Sequence, residues 1–498
     1  MENNTLGILT FLVVIAVYTI AFKMYKKEQY SSALYLIMLG GLVLRIFTAL
    51  DFHLHPWDER YHALVAKNLL DNPFKPMLYK VPLLDHDFKN WSNNHIWVHK
   101  QPFPLYSMAA SMWLFGKNEI ALRIPSLILC TLAIFTTFKI GKILFTTRVG
   151  LLAAFLFSIN GLIIEQTAGR VATDHIDVFF FSLITIASYF LINSVNKSSR
   201  LSFIVGAIIT GLAILSKWLP ALIVLPLWLL YALNRLPWRE IIAQIFIFIG
   251  VVVLIVLPWQ LYILHYFPRE AAWEYAYNKK HFFEALGPHG QPFYYHFAKM
   301  RIIFGELIYL PMIWLIIMAF KDFKQHSYSK IILTTWILVP YLFFSFAVTK
   351  MQGYILLCAA PIFITTALFF FYLKAMSTRF PQLRNLVLVL LIFLPIRYSI
   401  ERIKPFSKLE RNPDWVSTLK QLDLNQHTNK IVIFNCKYPI ETMFYTDFIA
   451  YETMPDTDKL KEIHANGYDI WVDNNGEVKD EWYALDFLKF VAISQSNK

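Results

Sequence analysis

Along most of the chain the apolar residues run on without a polar interruption, in stretches too long for a soluble helix. Runs that could cross about 30 Å of hydrocarbon fall near 6–23, 32–50, 121–141, 149–166, 175–193, 202–216, 219–233, 242–264, 303–320, 331–348, 353–373 and 385–400. This predicts a polytopic, all-α membrane protein of about twelve spans. Lys217 divides the two shortest. Three segments break the rhythm. Residues 51–120 read as a long loop with a polar stretch from His86 to Asn94 and an amphipathic segment, Leu105 to Phe115, suited to the interface. Residues 265–302 read as a second loop rich in Tyr, His and Lys. From about 403 the tail is soluble in character: KIVIFNC is a predicted strand, DTDKLKEIHANG a capped helix ending at Gly467, and YDIWVD a second strand. The expected organisation is a membrane domain over 1–402 and a small α/β domain over 403–498.

Composition agrees with the pattern. Only 16% of residues are charged, against about 25% in soluble domains. The net charge of +12 could suggest nucleic acid, but its placement does not. Lys23, Lys26 and Lys27, then Lys139, Lys142 and Arg148, Lys197 and Arg200, Arg235 and Arg239, Lys321, Lys324 and Lys330, and Lys374, Arg379 and Arg384 all fall in alternate short loops. Basic residues collect in cytoplasmic loops, so those loops define the cytoplasmic side and no nucleic-acid partner is expected. The intervening short loops hold single cations, Arg170, Lys217 and Lys350. Both long loops and both termini are then expected outside the cytoplasm. The first apolar run reads as a retained span, since Glu2 stands where a signal peptide would carry basic residues. Cys130, Cys358 and Cys436 form no CxxC pair and no disulfide framework.

Ionisable groups beside a bilayer are costly to keep, and here they cluster on the outer side. HPWDERYHALVAKNLL sets Asp58 and Glu59 next to Tyr61 at the start of a helical pattern; the pair either caps a helix or supplies a general base. In GRVATDHIDVFFF, Asp174 and Asp177 lie one helical turn apart beside Arg170, fit either for capping or for chemistry. Lys100 in HKQPFPLY, Lys217 in LSKWLP and Lys350 in TKMQGY add cations to the same side. Three cations and two acidic clusters suit an anionic, phosphate-bearing substrate. His99, His289 and His296 match no metal signature such as HExxH. No cofactor is expected, and His99 and His289 are the weak candidates should a divalent metal bind.

In this order, WDERYHALVAKNLL, HKQPFPLY, FGKNEIALRIPSL, GRVATDHIDVFFF, GLAILSKWLP, HGQPFYYH and TKMQGYILL, the clusters resemble those of the membrane-embedded C-type glycosyltransferases. The branch is that of the bacterial aminoarabinose (lipid A) transferases and the dolichyl-phosphate-mannose protein mannosyltransferases. The resemblance covers roughly 30–400, with the first span standing before it. It departs in detail: one residue, Arg60, separates Glu59 from Tyr61 where two are usual, and Lys-Pro-Pro becomes Lys100-Gln101-Pro102.

What the resemblance implies is inverting transfer of a sugar from a polyprenyl-phosphate carrier, of the undecaprenyl-phosphate kind, to an acceptor outside the cytoplasm. That acceptor is a lipid such as lipid A, another glycan or a protein. Asp58, favoured over Glu59, would serve as base, and Asp174 matches the single acid of the second motif better than Asp177. Lys100 and Arg170 would meet the lipid phosphate, with Lys217, Lys350, Tyr61, Asp177, His289 and Tyr354 in support. The setting implied is a bacterial inner membrane, among membrane lipids, as a monomer with its active site and C-terminus periplasmic. A lipid or sugar transporter (a flippase) is the rival from another class. It too would keep intramembrane charges, but would show paired halves, and the chain has no internal repeat.

Overall fold

The structure, a computed structural model, describes residues 3–324, 328–424 and 430–493. Every apolar run of the sequence is helical. Among the described residues, eight helices are long and apolar enough to span a membrane: Asn3–Lys26, Tyr30–Ala49, Glu119–Leu144, His175–Asn196, Arg200–Lys217, Trp238–Tyr266, Ser329–Phe346 and Gln352–Ala375. The four remaining runs depart from a plain span for local reasons. Over 149–166 the helix breaks by 57° between Thr147–Ser158 and Gly161–Thr167. There the Asn160 side chain accepts from the Ile163 amide at 3.1 Å and caps a new helix. Leu219–Ala232 is short. The run 303–320 opens late, at Tyr309, because Gly305 with φ +103° ends the preceding helix Tyr295–Phe304. Pro381–Ile403 is long enough but carries Arg384, Arg397, Glu401 and Arg402. The segment expected to be amphipathic, Leu105 to Phe115, lies in the helix Pro102–Phe115, which is apolar on all sides because Ser107 and Ser111 are its least apolar residues.

The described residues form two compact units. The first comprises Met1–Ala49, Lys100–Pro104 and Pro125–Leu409. It is built by close helix packing, and small residues set the distance where helices cross. A Cβ on Gly150 would meet the Phe138 carbonyl oxygen at 2.4 Å, and one on Gly141 the Cα of Gly150 at 2.8 Å. Larger side chains at either position would force the two helices apart.

The second unit comprises Leu50–His99, Leu105–Ile124 and Glu410–Lys498. Its sheet is parallel, in the order β2-β1-β3-β4, with β1 Ile431–Phe434, β2 Ile449–Ala450, β3 Asp469–Asp473 and β4 Leu488–Val491. All four β1 residues are buried, as a strand covered on both faces requires. The two strands and the helix expected in the tail are β1, β3 and Thr457–Ala465, whose N-cap Asp456 accepts from the Lys459 amide at 2.8 Å. This sheet does not stand alone. Helix Pro439–Tyr445 packs on helix Asp58–Asp71, and the buried Lys67 ammonium donates to the carbonyls of Met443 (2.9 Å) and Thr446 (2.6 Å). Arg60 pairs with the buried Glu441 at 3.2 Å. The tail and the first long loop are thus one body, and it is this body that positions Asp58.

Candidate active site

In the second unit the motif WDERYH opens the helix Asp58–Asp71, with both acids in its first turn, where the helix dipole favours them. The two carboxylates have different fates. Glu59 is fully buried. It accepts from Arg123 Nε at 2.7 Å and Nη2 at 3.0 Å, and from the His55 amide at 2.8 Å, and it meets His55 Nδ1 at 2.6 Å. Arg123, also fully buried, donates onward to the carbonyls of Asp51 (2.5 Å) and His53 (2.8 Å). Asp51 in turn binds Arg411 at 3.0 Å. Burial alone would lower the His55 pKa, but Glu59 and Asp51 on either side outweigh it and hold it raised. Asp58, by contrast, stands half-buried at the helix start. Adjacent positions therefore differ in kind: Glu59 anchors a charge network, and Asp58 keeps access to solvent.

Tyr61 is buried, its ring edge-on to Trp91 at 5.0 Å and its hydroxyl accepting from Arg60 at 3.3 Å. Burial raises its pKa although Arg60 pulls it down. His99 lies stacked on Trp91, with centroids 4.8 Å apart.

The first unit holds the other predicted residues. Asp174 is buried and caps His175–Asn196, its carboxylate accepting from the Ile176 amide at 3.5 Å. Asp177, in the first turn, binds Lys217 at 2.5 Å, and that ammonium lies 4.4 Å from the Tyr354 ring centroid. The structure thus brings Asp177, Lys217 and Tyr354 into one group. Beside Tyr354, Gly353 lets the backbone lie against Thr173 and Gln166, since a Cβ there would fall 2.3 Å from Thr173 Oγ1 and 2.5 Å from Gln166 Nε2.

Lys350 is elsewhere occupied. Its buried ammonium donates to the carbonyls of Gln291 (2.9 Å) and Ala347, and its amide to the His289 carbonyl at 2.9 Å. It fastens the second long loop rather than presenting a charge. His289 is half-buried in a short turn, and its backbone shares in that fastening. Lys100 and Arg170 are both half-buried, and Arg170 reaches the Ile403 carbonyl at 3.3 Å. Lys217 is half-buried as well, and of the predicted cations Lys350 alone is buried.

Sequence reasoning missed several participants. Glu274 is buried, and burial raises its pKa to about 7 although Lys100 and then His281 oppose the shift. Gln101, the departure from Lys-Pro-Pro, accepts from Gln260 at 2.9 Å, and Gln260 accepts from the Tyr275 hydroxyl at 2.7 Å. Glu165 pairs with Arg402 at 2.6 Å. A signal for that pair was present, since both are charges at the ends of apolar runs. The Arg123–Glu59 contact joins positions 64 residues apart and left none. Among the described residues no three His, Cys, Asp or Glu side chains converge as a metal site, and His99 and His289 belong to different units.

Comparison with solved structures supplies the deciding observation. The chain superposes on the transferase ArnT of Cupriavidus metallidurans in the apo state with a TM-score of 0.60, covering 91% of this chain and 94% of that one at 15% identity. The same protein bound to undecaprenyl phosphate gives 0.59, with 87% of each chain covered at 14% identity. The chain has the C-type glycosyltransferase fold. The oligosaccharyltransferase AglB of Archaeoglobus fulgidus, in complex with an inhibitory peptide and a dolichol-phosphate, shares it at a TM-score of 0.61 and 15% identity, over 86% of this chain and 65% of that one. Sequence comparison points the same way. Residues 99–262 match the dolichyl-phosphate-mannose-protein mannosyltransferase family. An undecaprenyl phosphate-alpha-4-amino-4-deoxy-L-arabinose arabinosyl transferase of Pseudomonas paraeruginosa is 26% identical over 270 residues, 52% of this chain and 47% of its own. A homologous transferase of Pseudomonas fluorescens is 26% identical over 55% and 50%. The chain spans about half the length of these relatives. The motifs' resemblance to the aminoarabinose transferases and protein mannosyltransferases is therefore recovered by sequence comparison, and the fold by comparison of structures.

Proposed function

We propose that this membrane protein is an inverting glycosyltransferase that moves a sugar from a polyprenyl-phosphate donor to an envelope acceptor on the non-cytoplasmic face of a bacterial inner membrane. The observation that carries the reading is the division of labour at Asp58 and Glu59, set in a C-type glycosyltransferase fold. One carboxylate is engaged by Arg123 and His55, while its neighbour stands half-buried in the first turn of the same helix with access to solvent.

In the reaction the acceptor hydroxyl attacks the anomeric carbon and gives its proton to Asp58. The new C–O bond forms as the bond from the anomeric carbon to the phosphate oxygen breaks, and polyprenyl phosphate leaves with the electron pair. A general base of this kind contributes roughly 10²–10⁴-fold. The leaving phosphate gains charge in the transition state, which preorganised cations stabilise. Lys100 and Arg170 take that role, and Asp174 holds the loop after Arg170 in place as a helix cap. Asp177, Lys217, Tyr354, Tyr61, His289 and Lys350 shape the surroundings. The membrane domain of 1–402 performs the chemistry, and the α/β region from 403 is periplasmic. Likeness to an aminoarabinose transferase favours a lipid acceptor such as lipid A.

The test is turnover by the purified protein of a synthetic polyprenyl-phosphate sugar, read as released polyprenyl phosphate. Wild type should release it with an acceptor present and Asp58→Asn should not. Equal release by both would end the assignment of Asp58 as the base.

A further inference from the structure

We infer that the first helix, Asn3–Lys26, closes a binding site for one anionic phospholipid, whose phosphate sits on Lys26, Arg148 and Lys374. The site is an apolar cavity of about 760 Å³ inside the first unit. It is bounded by the first two helices, by Thr147–Ser158, and by the ends of Gln352–Ala375 and Pro381–Ile403. Val14, Tyr18, Leu151, Phe155, Ile396 and Ile400 form much of its wall. The lining runs along the first helix from Gly7 to Lys26, which at the helical rise is about 28 Å, close to the thickness of the hydrocarbon. The Tyr18 hydroxyl is engaged with Ser158 at 2.9 Å, and although Thr10, Thr19, Tyr25 and Ser399 add hydroxyls, most of the wall is apolar.

Charge decides which occupant. All three cations that line the cavity stand at one end of it: Lys26 ends the first helix, Arg148 opens Thr147–Ser158, and Lys374 lies in the last turn of its helix. Each is exposed. Lys26 rests over the Phe22 ring at 5.3 Å, and Arg148 reaches Glu28 at 3.4 Å, the carboxylate that opposes an anion here. An apolar channel with three cations at one mouth matches acyl chains ending in a phosphate of net negative charge, the chains of one leaflet filling about half its length from that mouth. Those cations lie in loops that the charge pattern of the sequence assigns to the cytoplasm, so the lipid comes from the inner leaflet. A polyprenyl-phosphate donor would enter from the other side. The lipid would complete the packing of a first helix that buries only Asn3, Gly7, Thr10, Val14 and Ala21. This inference does not depend on the proposed reaction.

The experiment uses the full chain purified in mild detergent, with native mass spectrometry and titration of phosphatidylglycerol or phosphatidylethanolamine. One phosphatidylglycerol should bind per chain, at least tenfold more tightly than phosphatidylethanolamine. Each exposed cation at such a surface is worth roughly fivefold, so the triple change Lys26→Ala, Arg148→Ala and Lys374→Ala should weaken binding on the order of a hundredfold. Glu28→Gln should tighten it. Ile15→Trp, an exposed lining position, should block the channel and lose lipid with all cations intact. If the triple variant does not fold, the three single variants and Ile15→Trp give the same reading. Equal affinity for the two phospholipids, phosphatidylglycerol binding that survives the charge removal, polyprenyl phosphate as the retained lipid, or no retained lipid would each overturn the assignment.

Discussion

Exchanging the two neighbouring carboxylates for amides, Glu59→Gln and Asp58→Asn, should separate structure from chemistry. Glu59 receives four contacts from Arg123 and His55 and is fully buried. The amide keeps the shape but removes the charge, taking from the buried Arg123 guanidinium the carboxylate it is bonded to. Breaking one side of a buried pair costs about 3–5 kcal/mol. The carbonyls of Asp51 and His53 still accept from Arg123, which argues for the lower part of that range. Against a total stability of about 5–15 kcal/mol, even about 3 is large.

Asp58 is half-buried at the first turn, so its amide gives up a charge that the helix dipole favours by about 0.3–1 kcal/mol. Its effect on transfer should be a drop of roughly 10²–10⁴ in rate. Two measurements read this out: hydrogen exchange of the amides in 50–99, which reports local stability, and turnover of a polyprenyl-phosphate sugar. Glu59→Gln should exchange fast; Asp58→Asn should exchange as wild type and be inactive. A Glu59→Gln protein with native protection, or an Asp58→Asn protein with full turnover, would refute the reasoning.

Three further outcomes follow from the same geometry. The pKa of His55 is raised above its usual 6.5, so the folded state binds its proton more tightly. That stabilisation is complete below 6.5 and fades as pH rises through the folded value. Hydrogen exchange in the second unit should therefore quicken with pH beyond the intrinsic effect, and His55→Gln should remove the excess. Glu274 is raised from 4.5 to about 7 by burial. Its ionisation therefore costs stability progressively between those values, and Glu274→Gln should flatten thermal stability across that window; an unchanged slope would show that Glu274 ionises freely. Lys100→Ala should weaken apparent affinity for the lipid donor more than for the acceptor in steady-state kinetics, and equal effects would remove Lys100 from the phosphate.

Much of the fold was legible because hydrophobic runs and loop charges are local properties. The apolar runs became helical, whole or in two pieces, and the tail strands at Ile431–Phe434 and Asp469–Asp473 appeared where their β-branched and aromatic residues stood. Where a run failed as a single span, a specific residue was responsible, such as Asn160 capping a second helix or Gly305 ending one. The candidate site was legible as residue types in order, not as pairings. Asp58 and Glu59 read alike in the sequence because the difference between them is made by Arg123, far along the chain. Lys217 and Lys350 read as two equal cations. Only tertiary structure commits one to Asp177 and Tyr354 and the other to backbone carbonyls.

The central claim is that this chain glycosylates an envelope component from a polyprenyl-phosphate donor through Asp58. It is tested most directly by mass spectrometry of envelope glycolipids and glycoproteins from cells carrying the wild-type gene or Asp58→Asn at equal protein level. The account predicts one species that loses the mass of a single sugar in the variant, while polyprenyl-phosphate sugar accumulates. Identical envelope profiles in the two strains would contradict it.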